Sequence, residues 1–227
     1  MPKTLSVKTR RPDLSAAEFR RHYEGRHVPL GLGFRERFGW ARYARSYVVA
    51  VRAGAVGFDC LTEFWYASDA ALARTRAFAG SPEFRVLDED DRRFLDVGRR
   101  LAFEVEERAI AGAPGRAAPA VLRRVALVLG RRAGVAAPAF SRAALEFARE
   151  LAAEPAGAWE RVALDLRAFA AASADAADGA LELAAIAWLW PRAGAEVPAA
   201  FAWPDAAAAC AALELETVET PPEALAP

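Results

Sequence analysis

With 227 residues, 54% of them hydrophobic and 26% charged, the chain is long enough to bury one large core or two small ones. Its 30 basic and 30 acidic residues cancel to a formal charge of +0, which argues against the polybasic surface of a general nucleic-acid or membrane-surface binder. Two cysteines are too few for a disulfide scaffold or a four-thiolate zinc site; with a polar, basic N-terminus and no apolar run near the roughly 20 residues of a membrane helix, the expectation is a soluble, reduced, cytoplasmic protein.

Leu5, Val7 and Thr9 alternate with polar residues and predict a first strand, broken by Pro12 and Asp13. Ser15 and Glu18 then form a capping-box pair, with Leu14 and Phe19 placed as a hydrophobic staple, so a helix is expected to about Gly25. Val28 precedes Pro29 and is biased away from helix, which puts His27 at the helix exit or in the following loop. Strands are expected over Tyr43–Val51 and Phe58–Tyr66, joined by a hairpin at Gly54 and Gly57. Ser68 and Asp69 offer caps for a helix through Phe78, and Ser81-Pro82 start another. Leu101, Phe103 and Val105 alternate as a fourth strand. The order β-α-β-β-α-β is the split motif of ferredoxin-like folds.

Residues 111–120 contain Gly112, Pro114 and Gly115 and read as a linker. The pattern then restarts: a strand at Val125–Leu129, a helix at Phe140–Ala153, strands at Trp159–Phe169 and Leu181–Trp190, a short alanine-rich helix at Asp205–Ala211, and a last strand at Leu213–Val218. At an offset of 121, Val7, Arg10, Arg11, Ala16, Phe19 and Arg21 fall on Val128, Arg131, Arg132, Ala137, Phe140 and Arg142. The expectation is therefore an α+β protein of tandem ferredoxin-like repeats forming a fused pseudo-dimer, with domains at 1–110 and 121–220. Charge is unevenly divided: 20 basic and 16 acidic residues precede Arg116, and 10 and 14 follow it, a weak bias towards docking of the halves.

The first half is also similar in its letters to the EthD family of the dimeric α/β-barrel superfamily. The resemblance rests on Lys8-Thr9-Arg10-Arg11-Pro12, on Leu14 to Phe19, on His22-Tyr23-Glu24-Gly25-Arg26-His27-Val28-Pro29-Leu30, and on Phe58-Asp59 followed by Thr62 to Asp69. It covers about residues 3 to 108. It implies four-stranded sheets paired face to face, usually between two subunits and here within one monomeric pseudo-dimer or a homodimer. It further implies chemistry on small oxygenated rings, such as polyketide or aromatic-degradation intermediates, by isomerisation, cyclisation, dehydration or decarboxylation. Lactone-isomerising relatives place a His at the position of His27 and a Cys where this chain has Phe64. In the second half the positions of Tyr23 and His27 become Ala144 and Ala148, so no functional residue is carried across.

His22, His27 and all four tyrosines lie in the first half. An imidazole moves protons near neutral pH, so His27 is the first candidate acid/base; the alternative is a histidine that caps a helix C-terminus. Tyr23, four residues earlier, would share its helical face, and Asp59 is a candidate to orient it. Tyr43, Tyr47, Phe64 and Trp65 are candidate substrate-binding residues. On the third strand Asp59, Leu61, Glu63 and Trp65 take one face and Phe58, Cys60, Thr62, Phe64 and Tyr66 the other. The run Asp88-Glu89-Asp90-Asp91 lacks metal-ligand geometry and reads as a solvated helical face, so no metal is expected. No phosphate-binding loop, dinucleotide fingerprint or nucleophile elbow occurs, and no cofactor is expected. These features predict a cofactor-free proton-transfer enzyme with a small-molecule substrate and no nucleic-acid or membrane partner. The alternative is a non-catalytic small-molecule-binding or accessory protein.

Overall fold

The structure is a computed structural model and describes residues 1–112, 121–153, 158–168, 183–198 and 200–226. Its strands are β1 (Lys3–Lys8), β2 (Trp40–Ala53), β3 (Cys60–Tyr66), β4 (Leu101–Ala111), β5 (Val121–Arg131), β6 (Trp159–Arg167), β7 (Leu183–Pro191) and β8 (Ala207–Glu219). Its helices are α1 (Ala16–His22), α2 (Val28–Leu32), α3 (Arg35–Phe38), α4 (Asp69–Ala79), α5 (Arg85–Phe94), α6 (Ala137–Ala153) and α7 (Pro222–Leu225). Among the described residues no helix is long and apolar enough to cross a membrane.

All eight strands pair antiparallel in one closed barrel, in the order β1-β3-β2-β8-β5-β7-β6-β4 and back to β1. This corrects the expected pair of ferredoxin-like sheets stacked face to face. The would-be edge strands β2 and β4 are hydrogen-bonded to β8 and β6, so the two halves share a single sheet without edges, the arrangement that removes unpaired edge groups. The pairing order does recur: round the barrel β4-β1-β3-β2 is followed by β8-β5-β7-β6, the same order four strands on. One contact repeats at the offset of 121: Arg10 Nη1 donates to the Leu14 carbonyl at 2.7 Å, and Arg131 Nη1 to the Val135 carbonyl at 2.6 Å.

The second half departs most from expectation at Asp205–Ala211. These residues are not a helix but a turn and the start of β8, and Gly130 and Arg131 of β5 pair with Ala208 and Ala207. Alanine has the highest helix propensity, but propensity is a weak determinant and the ladder beside β5 overrides it. Most of the expected linker, residues 113–120, and the ends of the expected strands at Phe169 and at 181–182 lie outside the described residues.

Period-2 alternation sorts the side chains into three cores. The barrel interior holds Leu5, Leu61, Val128, Ile186 and Leu213. The outer face of the second half packs Leu127, Leu164 and Leu189 against Phe140, Phe147 and Leu151 of α6. The outer face of the first half packs Tyr43, Cys60 and Tyr66 against the helices through Phe19, Tyr23, Phe38, Leu87 and Phe94. That third layer contains the site.

Two glycines sit where the first half joins the second. Gly54, after β2, and Gly112, after β4, have φ of 71° and 76°, and a Cβ on them would lie 2.0 Å from the Cys210 carbonyl oxygen and 2.4 Å from that of Glu160. Left-handed backbone alone costs an L-residue roughly 1–2 kcal/mol, so Gly54→Ala should lower the thermal midpoint by more than that amount implies; an unchanged melting curve would contradict the close approach.

Candidate functional site

The predicted capping box is formed: Ser15 Oγ accepts from the Glu18 amide, and the Glu18 carboxylate accepts from the Ser15 amide. The helix it starts does not stop at Gly25. It widens into a π-helical turn over Tyr23–His27 and continues as α2. Val28 has φ −61° and ψ −51° despite preceding Pro29. A π turn is one way for a helix to absorb the missing proline donor and ring clash. His27 is therefore held on a continuous helical segment rather than in a loop, and its alternative role as a C-terminal cap does not apply.

The wide turn aims Tyr23 and His27 between the helices and the outer face of the first-half sheet. There they line a cavity of about 480 Å³ with Thr4, Ser6 and Lys8 of β1, Tyr43 of β2, Phe64 and Tyr66 of β3, and Asp91 of α5. The size is that of a small-molecule pocket.

His27 is fixed by two carboxylates of α5. Its Nδ1 lies 3.1 Å from Asp90 Oδ2 and its Nε2 3.5 Å from Asp91 Oδ1. A carboxylate beside Nδ1 calls for an N–H there, which leaves the Nε2 lone pair beside Asp91 as the proton acceptor. Asp90 also receives Arg26 Nε at 2.9 Å and lies 3.2 Å from His22 Nε2. Burial opposes the charge on Asp90, yet the hydrogen bonds from His27 and His22 hold its carboxyl below the usual range. Asp91 takes Arg100 Nη1 on Oδ2 at 2.9 Å, while its buried Oδ1 has no hydrogen-bond donor among the described residues. Burial pushes the His27 imidazole below its ordinary 6.5, against the pull of Asp91 and Asp90. The ring is thus neutral at physiological pH and ready to accept a proton.

The tyrosines are graded by position. Tyr23 Oη lies 2.9 Å from Thr62 Oγ1, and Tyr43 Oη donates to Tyr23 Oη at 3.5 Å. Burial raises both phenols far above neutrality, so they act as O–H donors and not as phenolates. The rings of Tyr43 and Phe64 stack at 4.8 Å and form the apolar wall. Three other expected site residues lie elsewhere. Asp59 binds Arg10 through its backbone amide and Nε, both at 2.9 Å, and does not orient His27. Tyr47 donates to Glu24 at 2.5 Å outside the cavity lining. Trp65 points into the barrel, where its Nε1 donates to Glu107 at 2.9 Å. Cys60 is buried on the cavity side of β3, and burial pushes its thiol up to about 12, which makes it inert at neutral pH.

Sequence reading missed Asp90 and Asp91, which α5 buries although the run around them looks solvated. The signal was present: Leu87, Asp90, Asp91 and Phe94 follow helical i, i+3, i+4, i+7 spacing, with Leu87 and Phe94 apolar. His22 stacks on Phe94 at a centroid distance of 4.8 Å. Among the described residues no group of three or more His, Cys, Asp or Glu side chains could hold a metal ion.

Residues 11–98 match the family model of the EthD domain. An EthD family protein from Bacillus halodurans aligns over 48% of this chain and 100% of its own, with 21% identity and a TM-score of 0.37. A candidate monooxygenase from Fusobacterium nucleatum aligns over 96% of this chain and 92% of its own, with 8% identity and a TM-score of 0.54; at that identity it supports the barrel architecture alone. No curated protein sequence matches the chain.

Proposed function

Residues 11–98 are an EthD domain, and on that premise we propose that its cavity is the active site of a cofactor-free acid/base enzyme. It acts on a small oxygenated ring compound, by isomerisation, cyclisation, dehydration or decarboxylation, with His27 as the proton-transfer residue. The observation that carries this reading is a buried, neutral imidazole that lines the cavity and is oriented from behind by Asp90. That is the arrangement a general base needs: reach, correct tautomer and an unprotonated ring. Tyr43 and Tyr23 supply hydroxyls for a ring oxygen, and Phe64 supplies an apolar surface. We further propose that residues 121–220 derive from duplication of residues 1–110 and serve to close the barrel.

Proton transfer to or from a carbon next to a carbonyl is the step these reactions have in common. Incubation with a panel of six-membered lactones and cyclic ketones in deuterated water should therefore show α-hydrogen exchange above the buffer rate, and His27→Gln should lose it. Full exchange in His27→Gln would contradict the reading. Tight ligand binding with no exchange by the native chain would favour a non-catalytic binding protein.

A further inference from the structure

The first-half cavity contains a second reactive group that the acid/base reading does not use. Lys8 is 8% exposed and lines the same space as His27. Among the described residues no hydrogen bond or ion pair reaches its ammonium. Arg10, which follows closely on the chain, is satisfied by Asp59, and Arg100 by Asp88 and Asp91. A buried cation without a partner is costly, and the neutral amine avoids that cost. The bare Asp91 Oδ1 and the His27 Nε2 lie on the same side of the cavity, so proton acceptors are at hand.

We propose that Lys8 is a nucleophilic amine that condenses with the carbonyl group of a ketone or aldehyde substrate in this cavity. The inference rests on the reading of the cavity as an active site and names its substrate class. The Nζ lone pair forms a bond to the carbonyl carbon, and the carbonyl π pair moves to oxygen. Both hydrogens of the neutral amine then leave with that oxygen as water, and a C=N bond replaces C=O. His27 carries the proton from nitrogen to oxygen and Asp91 stabilises its charged form. Protonation of the imine nitrogen gives an iminium that draws electrons from the adjacent C–H, the bond His27 is placed to break. Two features are those that activate a lysine: removal from water and a neighbouring cation. Burial lowers the Lys8 pKa from 10.5, and Arg100 adds to that effect against the pull of Asp91.

The composition makes this testable without a known substrate. Lys3 and Lys8 are the two lysines of the chain, and Lys3 is enclosed by Glu63, Glu107 and Asp165. The native protein is incubated with acetylacetone, whose imine rearranges to a conjugated enaminone with its own near-ultraviolet band. The expected result is that band, a mass gain of one diketone less one water, and mapping of the adduct to Lys8. Lys8→Met, which removes an unpaired buried amine and keeps its length, should fold and lose both signals. Lys8→Arg keeps the charge, cannot form the imine, and should lose them too. Absence of the adduct in the native chain, or an undiminished adduct in both variants, would overturn the proposal. His27→Gln separates the two readings. An adduct on Lys8 with α-hydrogen exchange unaffected by loss of His27 sinks the His27 assignment alone, whereas no adduct with His27-dependent exchange sinks the Lys8 assignment alone.

Discussion

Glu63→Gln should unfold at a much lower denaturant concentration than the native chain, a loss of roughly 3–5 kcal/mol, as expected when one partner of a buried ion pair is removed. Glu63 is 1% exposed inside the barrel and holds Lys3 at 3.0 Å and Arg124 by a direct hydrogen bond. Lys3 would keep Asp165 and Glu107 as partners. Arg124, 2% exposed, would be left with the neutral hydroxyls of Ser46 and Thr217 and the ring of Trp188. Replacing Glu63 and Arg124 together by Leu and Met should recover much of the loss, because an apolar pair carries no desolvation penalty. A loss below about 1 kcal/mol for Glu63→Gln would place the pair with exposed salt bridges and contradict its role in the core.

The same cluster sets an acid limit on the fold. Burial raises the Glu63 carboxyl, but Arg124 and Lys3 outweigh it and hold the group at about 2, against 4.5 when unfolded. The unfolded chain binds the proton first, so this contribution is complete above pH 4.5 and disappears as pH falls towards 2. Asp165 runs the other way. Burial and the nearby Glu63 and Glu107 push it up to about 6 against the pull of Lys3. Three carboxylates around Lys3 and Arg124 explain the sign: holding a proton on Asp165 balances the immediate charge.

The second large effect is on turnover. His27→Gln should lower the rate of α-hydrogen exchange by about 10²–10⁴-fold, the usual contribution of a placed general base, with little change in stability. Glutamine keeps a donor for Asp90 but has no lone pair that takes a proton near neutral pH. The reading also predicts that Asp90→Asn slows exchange without abolishing it, because Asp90 touches His27 and not the cavity lining. Equal rates for native and His27→Gln chains would remove the acid/base role.

Much of the first half was legible because local rules and packing agree there. The Ser15–Glu18 box, the Ser68 cap and the alternation of Leu61, Glu63 and Trp65 against Cys60, Phe64 and Tyr66 all appear as read. The failures have physical causes. His27 was placed at a helix exit because the Pro29 rule is local, and a π turn evades it. Asp90 and Asp91 read as solvated because burial of a carboxylate depends on its partners in space: His27 and His22 lie 63 and 68 positions from Asp90, and Arg100 lies beyond the end of α5. Barrel closure was invisible because edge pairing of β2 with β8 and β4 with β6 is a non-local choice that alternation alone does not encode. The interior charges had a signal: Lys3 shares the parity of Leu5 and Val7, and Glu63 that of Leu61 and Trp65.

The most direct measurement is an NMR titration of the two histidine rings. The account predicts that His27 titrates below the ordinary 6.5, since burial outweighs the pull of Asp91 and Asp90, and that Asp91→Asn lowers it further. In stability terms the depressed value is lost binding of a proton on folding, so this contribution is full above pH 6.5 and declines as pH falls through the folded pKa. A His27 that titrates at or above 6.5, and is indifferent to Asp91, would mean the ring is solvated or permanently charged, and the cavity would lack the neutral base on which the proposed chemistry depends.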